Sequence, residues 1–289
     1  MMADIGRVVD LQKYPITSLN TDRGRKFIKE CREKLQKTGS LSLPGFVRSG
    51  EVTRMADELR ALEGSAHHRL EKLPVFRKED GYNAENYSEP GHPTKKQLVQ
   101  DVRALAADLI PQKSLIKQVY DSKHVHHFLS QVMGTEKLYP FADEFQSLNI
   151  MYIRDGGNRA WHYDGSDGVV TLLLQQCDEG GEFEWAPFIR EKGPLGQRDE
   201  AFDDVKKLFN GQYKTYKTRV AAGTLNIFNG ERSMHRVRTV YGGKTRIIAV
   251  LSYDTAKGKT SNPAKNVKLY GKRVEAIYKR RGTPIRSKI

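Results

Sequence analysis

His162 and Asp164, in Trp161-His162-Tyr163-Asp164, and His235, in Ser233-Met234-His235-Arg236, are the residues whose types and spacing could do chemistry together. Two neutral imidazoles and one carboxylate on one face of an octahedral divalent ion leave the opposite face open to exchangeable ligands. In an extended strand, residues two apart point to the same side, so His162 and Asp164 can reach one ion. His235 must then arrive from a neighbouring strand. A His-x-Asp triplet alone is a short motif that chance supplies. None of the other seven histidines has an acid two residues later, which makes the pair unambiguous.

A cation stands further on. In Arg246-Ile247-Ile248-Ala249-Val250-Leu251 the alternate residues Arg246, Ile248, Val250 and then Ser252 share a face. A guanidinium among aliphatics needs an anionic partner if it is buried.

The elements that must position these side chains read as short strands. Val169-Val170-Thr171-Leu172-Leu173-Leu174, Gly180-Gly181-Glu182-Phe183-Glu184-Trp185 and Gly223-Thr224-Leu225-Asn226-Ile227-Phe228 precede the Arg246 run, with glycine-bearing turns between them. This is the pattern of an antiparallel jelly roll.

Taken together, His162-x-Asp164, the Gly-Gly-Glu-Phe hairpin, Gly223-x-Leu225-x-x-Phe228 before His235-Arg236-Val237, and Arg246 eleven residues past His235 resemble the iron(II)- and 2-oxoglutarate-dependent oxygenases. The likeness covers residues 141–255. A looser one runs upstream, through Asp10-Leu11-x-x-Tyr14-Pro15, Thr38-Gly39, Leu43-Pro44-Gly45-Phe46 and Tyr139-Pro140-Phe141, to the bacterial subgroup that hydroxylates or halogenates free amino acids. The resemblance implies an α+β fold with a mainly β core, a double-stranded β-helix of the cupin-like kind buttressed by N-terminal helices. It implies an enzyme using Fe(II), 2-oxoglutarate and O2, with His162, Asp164 and His235 as metal ligands and Arg246 on the far carboxylate of 2-oxoglutarate. Many relatives carry a serine two residues past that arginine. Ile248 stands there, so the hydroxyl of Tyr152 or Thr171 is expected to assist. Halogenating relatives resemble hydroxylases whose metal-binding carboxylate has become glycine, whereas Asp164 keeps it and favours oxygen-type chemistry. The expected products are hydroxylated, desaturated or ring-closed.

The substrate expected from the subgroup is small and amino-acid-like. Arg154 and Arg159 flank the glycine pair before His162, and Glu144 is the nearest upstream acid. An inward arginine selects an acidic amino-acid derivative; a dominant Glu144 selects a cation. Ser252 is a further candidate for substrate contact. Two other readings compete: the same chemistry on a macromolecule, and a binding module without catalysis. The complete ligand set with Arg246 argues against the second.

The 289 residues divide into a helical region (1–140), the catalytic core (141–255) and a basic tail (256–289), expected to form one integrated domain. Apolar spacing predicts helices over 23–36, 50–62, 95–109 and 114–132, with His67-His68 closing a helix. Residues 77–94 read as a loop of the kind that becomes a substrate lid. The tail holds eleven basic residues and one acid, which accounts for most of the net charge of +14. Only Tyr270 and Tyr278 interleave there, a poor base-stacking platform, so a solvated tail is expected and nucleic acid is not. Cys31 and Cys177 have nothing to pair them as a disulfide, no apolar run is long enough to span a membrane, and the N-terminus lacks a secretory leader. A soluble cytoplasmic protein is expected. The sequence carries no signal for an oligomeric state.

Overall fold

The computed structural model of the protein describes residues 5–76, 81–165, 167–192 and 198–286. After a single turn, α1 (Ile5–Val8), the helix α2 (Asp22–Thr38) starts where the Thr21 hydroxyl accepts from the Gly24 amide and ends at a left-handed Gly39. Its buried stripe, Ile28, Cys31 and Leu35, recurs at three and four residues. β1 (Ser40–Leu43), α3 (Ser49–Arg60), β2 (His67–Pro74) and β3 (Gln97–Leu105) follow. Next come α4 (Leu115–Tyr120), α5 (Lys123–Met133), β4 (Tyr139–Pro140), β5 (Leu148–Ile153), β6 (Arg159–His162) and β7 (Val169–Gln175). The chain continues through β8 (Glu179–Gly180), β9 (Phe183–Ala186), β10 (Arg190–Lys192), β11 (Arg198–Glu200), α6 (Phe202–Phe209), β12 (Tyr216–Thr218) and β13 (Leu225–Phe228). It ends with β14 (Met234–Val237), β15 (Val240–Tyr241), β16 (Arg246–Leu251), β17 (Tyr253–Asp254) and α7 (Pro263–Arg280).

This is a mixed α+β fold built on two sheets. One has seven strands in the order β1-β13-β7-β16-β5-β3-β2, the other four in the order β12-β9-β14-β6. The larger sheet buries one face under the helices: Ile150, Tyr152, Leu172 and Ile247 meet Phe46, Met55 and Phe128 there. Its other face looks toward the smaller sheet, with Phe228 against Phe183 at 4.9 Å and against His235 at 4.7 Å between ring centroids.

Three readings of the N-terminal region need correction. The core of the segment 95–109, Gln97–Leu105, forms a strand and not a helix: Gln100, Val102 and Ala104 are buried alternately, and β3 pairs with β2 and β5. The apolar residues of this segment fit a three- and four-residue step as well as alternation, and a buried glutamine hid the latter. His67-His68 opens β2 instead of closing a helix. The expected helix over 114–132 is two helices, broken at Asp121-Ser122. Three strands of the larger sheet thus come from the region read as helical. Of the loop expected over 77–94, residues 77–80 lie outside the described residues. The remainder forms two short helical turns whose Tyr87 and His92 rings pack on Phe202.

The basic tail is also not simply solvated. Most of it is α7, whose Tyr270, Val274 and Tyr278 are buried against Ala104, Ala106 and Phe145. Asn266 is fully buried and donates to both oxygens of Asp143 at 3.1 and 3.0 Å. On its outer side Arg273 forks onto Asp108, Arg281 onto Glu144, and Lys279 reaches Glu275. Among the described residues no helix is long and apolar enough to cross a membrane.

Within α7, Gly271 adopts φ 71° and ψ −158°, and a Cβ there would lie 2.5 Å from the His67 ring. Only glycine reaches that conformation cheaply, so the helix is kinked over His67. Gly271→Ala is expected to cost about 1–3 kcal/mol of stability from backbone strain alone, read as a lower urea midpoint; an unchanged midpoint would show that the kink is not a fixed feature of the packing.

Candidate metal centre

β6 and β14 run antiparallel with His162 directly opposite His235, and the two ring centroids lie 4.1 Å apart. Beyond the strand end, the Asp164 amide donates to Gly230 O at 3.0 Å. Asp167 ties the same two loops: it accepts from the backbone amides of Glu231 and Arg232 at 3.2 and 3.3 Å, and from Arg232 Nε at 2.6 Å. These contacts turn the Asp164 carboxylate back between the imidazoles, with Oδ1 3.7 Å from His162 Nε2 and Oδ2 3.2 Å from His235 Nε2. One ligand atom from each of the three side chains lies within 4.8 Å of the others, the sole such cluster of three among the described residues.

The hydrogen bonding fits a divalent ion. His162 Nδ1 donates to Ala160 O at 2.7 Å and His235 Nδ1 to Ser233 O at 3.0 Å. A carbonyl only accepts, so both Nδ1 atoms carry a proton and the Nε2 atoms are the ones that face Asp164 and the ion position. Burial first, then the Arg159 guanidinium and the neighbouring His235 ring, hold His162 well below the ordinary imidazole range, which keeps it neutral. Burial raises the Asp164 carboxyl, but His235 and His162 more than reverse this and hold it well below the usual carboxylate range. A metal requires deprotonated Nε2 atoms and an ionised carboxylate of such ligands, and binding it releases any proton they hold.

Arg246 opens β16 across from Ile153, in surroundings that include Cys177 and Val240. It is 3% exposed, and neither Nε nor Nη1 has a hydrogen-bond partner. Burial lowers its pKa to about 10, so it remains charged at neutral pH. A buried cation with two unused donors is costly in isolation, and the arrangement fits a ligand carboxylate. The other arginines near His235 have partners: Arg236 donates to Glu184 at 2.8 Å and stacks over Trp161, and Arg238 sits 3.7 Å from Glu184.

The other anticipated site residues divide. Thr171 lies beside Val250 and Asn226, on the sheet face shared with Arg246. Tyr152 does not: it neighbours Ile247 on the helix-packed face and donates its hydroxyl to Leu59 O at 2.7 Å, so its expected part in holding 2-oxoglutarate is withdrawn. Ser252 follows β16 at the end opposite Arg246, and its backbone binds Ser147 and Phe141. Glu144 is far from a substrate role, since Arg281 occupies both of its oxygens at the surface. Arg154 likewise pairs outward with Glu63 at 2.6 Å. Arg159 alone of the two arginines turns to the centre, bound to the buried Gln100.

Sequence reasoning missed Gln100 and Asn226. Asn226 accepts from Ser42 and Ser40 at 2.7 and 3.2 Å on the inward face of β1 and β13. The available signal was a polar residue at an inward position of an apolar alternating run.

The chain belongs to the Halogenase D (HalD) family, whose model matches residues 91–268. With it the chain falls in the Fe(II)/2-oxoglutarate oxygenase superfamily and is an oxidoreductase of that type. Solved structures agree on the fold. The non-heme alpha ketoglutarate dependent epimerase SnoN from nogalamycin biosynthesis matches over 79% of this chain and 83% of its own, at 13% identity and a TM-score of 0.52. The carbocyclase SnoK of the same biosynthesis matches over 78% and 83%, at 14% identity and 0.50. AviO1 from Streptomyces viridochromogenes Tue57 matches over 80% and 96%, at 11% identity and 0.50. No curated protein matches the chain.

Gly230 sets the reach of the ligand carboxylate. A Cβ at this position would lie 2.0 Å from Asp164 Oδ2 and 2.8 Å from Asp164 Cβ and Cγ. Gly230→Ala should therefore weaken Fe(II) binding by at least about tenfold while all three ligands remain, in the range known for disturbing the shell around metal ligands. Anaerobic titration with Fe(II) reads this directly, and wild-type affinity in the variant would show that Asp164 does not need its present position.

Proposed function

We propose that the protein is a Fe(II)- and 2-oxoglutarate-dependent dioxygenase that oxidises an unactivated C–H bond of a free amino acid or an amino-acid-derived small molecule. The observation that carries this reading is Arg246, a buried guanidinium with unused donors on a face that also meets a complete His-Asp-His set. We read the two facing sheets as a double-stranded β-helix, with the ligands on the smaller sheet and the co-substrate arginine on the larger.

His162, Asp164 and His235 would hold the ion, and Arg246, assisted by Thr171, would fix the far carboxylate of 2-oxoglutarate. When bound, iron and keto acid supply an O2-dependent oxidation in which 2-oxoglutarate is decarboxylated to succinate. The protein supplies orientation. Phe183 and Phe228 wall His235 on its inner side, and Arg159 sets a positive charge on the strand that carries His162. Glu144 is engaged by Arg281 at the surface while Arg159 lies on the strand that carries His162, which favours a carboxylate-bearing compound over a cationic one.

The outcome follows from Asp164. Its carboxylate would take the coordination position that a halide needs, so hydroxylation, desaturation or ring closure is the expected result although the family's name speaks of halogenation. The wild-type enzyme should give no chlorinated product in excess chloride, and Asp164→Gly should lose most native activity. Mass spectrometry of products formed with chloride present decides it, and chlorination by the unmodified protein would overturn the role of Asp164.

The co-substrate role is tested separately. Arg246→Ala should weaken 2-oxoglutarate binding by roughly 2–5 kcal/mol, more than an order of magnitude in affinity. Titration of the Fe(II)-loaded protein measures it, with succinate release across an amino-acid panel as the companion assay. Unchanged affinity would remove Arg246 from the site.

A further inference from the structure

We infer that Asn226, held by Ser40 and Ser42, is the centre of a neutral hydrogen-bonding subsite that reads an uncharged amide carbonyl on the substrate, which narrows the substrate class to an amino acid whose side chain ends in an amide; this rests on the oxygenase reading above.

One level of the larger sheet carries this subsite. β1, β13, β7 and β16 place Ser42, Asn226, Thr171 and Val250 side by side, and Asn149 on β5 continues the row. All five are half-buried. Leu41, Ile227, Val170 and Leu251, next along the same strands on the helix-packed face, are at most 2% exposed. The row therefore faces open space between the two sheets, where the helix side is closed. Phe228 follows Asn226 on the same face, about 7 Å along the strand, and its ring meets that of His235.

Two hydroxyls orient the carboxamide. Ser42 and Ser40 both donate to Asn226 Oδ1, at 2.7 and 3.2 Å, and neither hydroxyl has another partner among the described residues. Ser40 is 4% exposed, so its proton is committed to Asn226 in place of water. A carbonyl oxygen has two lone pairs, and both are taken. The Asn226 nitrogen keeps two N–H groups, and neither donates to a described residue. No charged side chain shares the row, so a carboxylate or ammonium seated against it would lose its water without gaining a counter-charge. An apolar group would leave the donor unmet. A neutral carbonyl oxygen exchanges water for a donor that is already fixed in place, which lowers the ordering cost of binding it.

The test uses the full-length protein, anaerobic, loaded with Fe(II) and saturating 2-oxoglutarate so that Arg246 is engaged. L-glutamine is the probe, with L-glutamate and L-leucine as its charged and apolar counterparts of like size, and dissociation constants are read by calorimetry. All three share the α-amino and α-carboxylate groups, so only the side-chain end differs. Wild type should prefer L-glutamine to L-leucine by about three- to tenfold, the scale of one neutral hydrogen bond, and to L-glutamate by at least as much. Asn226→Asp keeps the oxygen that the two serines hold and turns the donor into an acceptor. It should abolish the preference over L-leucine with 2-oxoglutarate affinity unchanged. A carboxamide seated the other way round predicts the opposite, since the aspartate would still accept from the amide nitrogen of L-glutamine. In case the added carboxylate unfolds the chain, the double variant Ser40→Ala/Ser42→Ala leaves Asn226 in place but free to turn, and should reduce the preference to below about twofold, again without a change in 2-oxoglutarate affinity. Retained preference in either variant that folds overturns the inference, and so does a fall in 2-oxoglutarate affinity, which would move Asn226 to the co-substrate. Wild-type protein that binds Fe(II) and 2-oxoglutarate but binds the three amino acids equally, or none of them, overturns it as well. Wild-type protein that binds neither Fe(II) nor 2-oxoglutarate would instead overturn the oxygenase reading, and this one with it.

Discussion

The antiparallel pairing of β6 with β14 sets His162 opposite His235, and the rest of the site is arranged around that register. Cross-strand neighbours in such a pair are close enough for two imidazoles to share an ion, but only if the pairing does not slip, because a one-residue shift would send one ring to the other face. The pairing is narrow, four residues on each strand, and is held from both sides. β9 continues the ladder on the far edge of β14, while Asp167 and the Asp164–Gly230 backbone bond close the loops at the mouth.

Buried charge is the second organising feature. Arg246, Arg69, Glu184 and Arg190 are each almost fully enclosed. Glu184 takes Arg236 and Thr215 on the outer side of the smaller sheet, and Arg190 meets Glu200 while lying over the Tyr163 ring. Desolvating an ion is tolerated where a partner and hydrogen bonds replace water. Arg246 differs in having both Nε and Nη1 without hydrogen-bond partners and no acid paired with it among the described residues, and its proposed part in binding a carboxylate rests on that difference.

The helices serve the sheet more than the site. α2, α3, α4 and α5 bury the outer face of the larger sheet, where Tyr152 is anchored through its hydroxyl to Leu59. α7 covers the strands added by the N-terminal region, and its Arg273 and Lys279 and the capping Arg281 pair with Asp108, Glu275 and Glu144. The positive charge legible in the tail is therefore partly paired within the fold.

The sequence by itself singled out His162, Asp164 and His235, which the fold brings together, along with Arg246 and the β-rich character of residues 141–255, because each is a local pattern: two residues apart on a strand, alternation in Arg246–Leu251, glycine-bearing turns. It could not settle which face a side chain takes when both faces of a strand are buried. Tyr152 and Thr171 are equally polar interruptions of apolar runs, and only the packing of α3 against β5 sends one to the helices and leaves the other beside Arg246. The same holds for 95–109, whose periodicity suits a helix or a strand until β2 and β5 supply the hydrogen-bonding partners that select the strand. Whether an arginine or an acid faces the centre was decided by contacts far apart in the chain, Arg159 with Gln100, Glu144 with Arg281 and Arg154 with Glu63. Charge complementarity at long sequence separation has no local signature, so the tertiary structure alone could assign it.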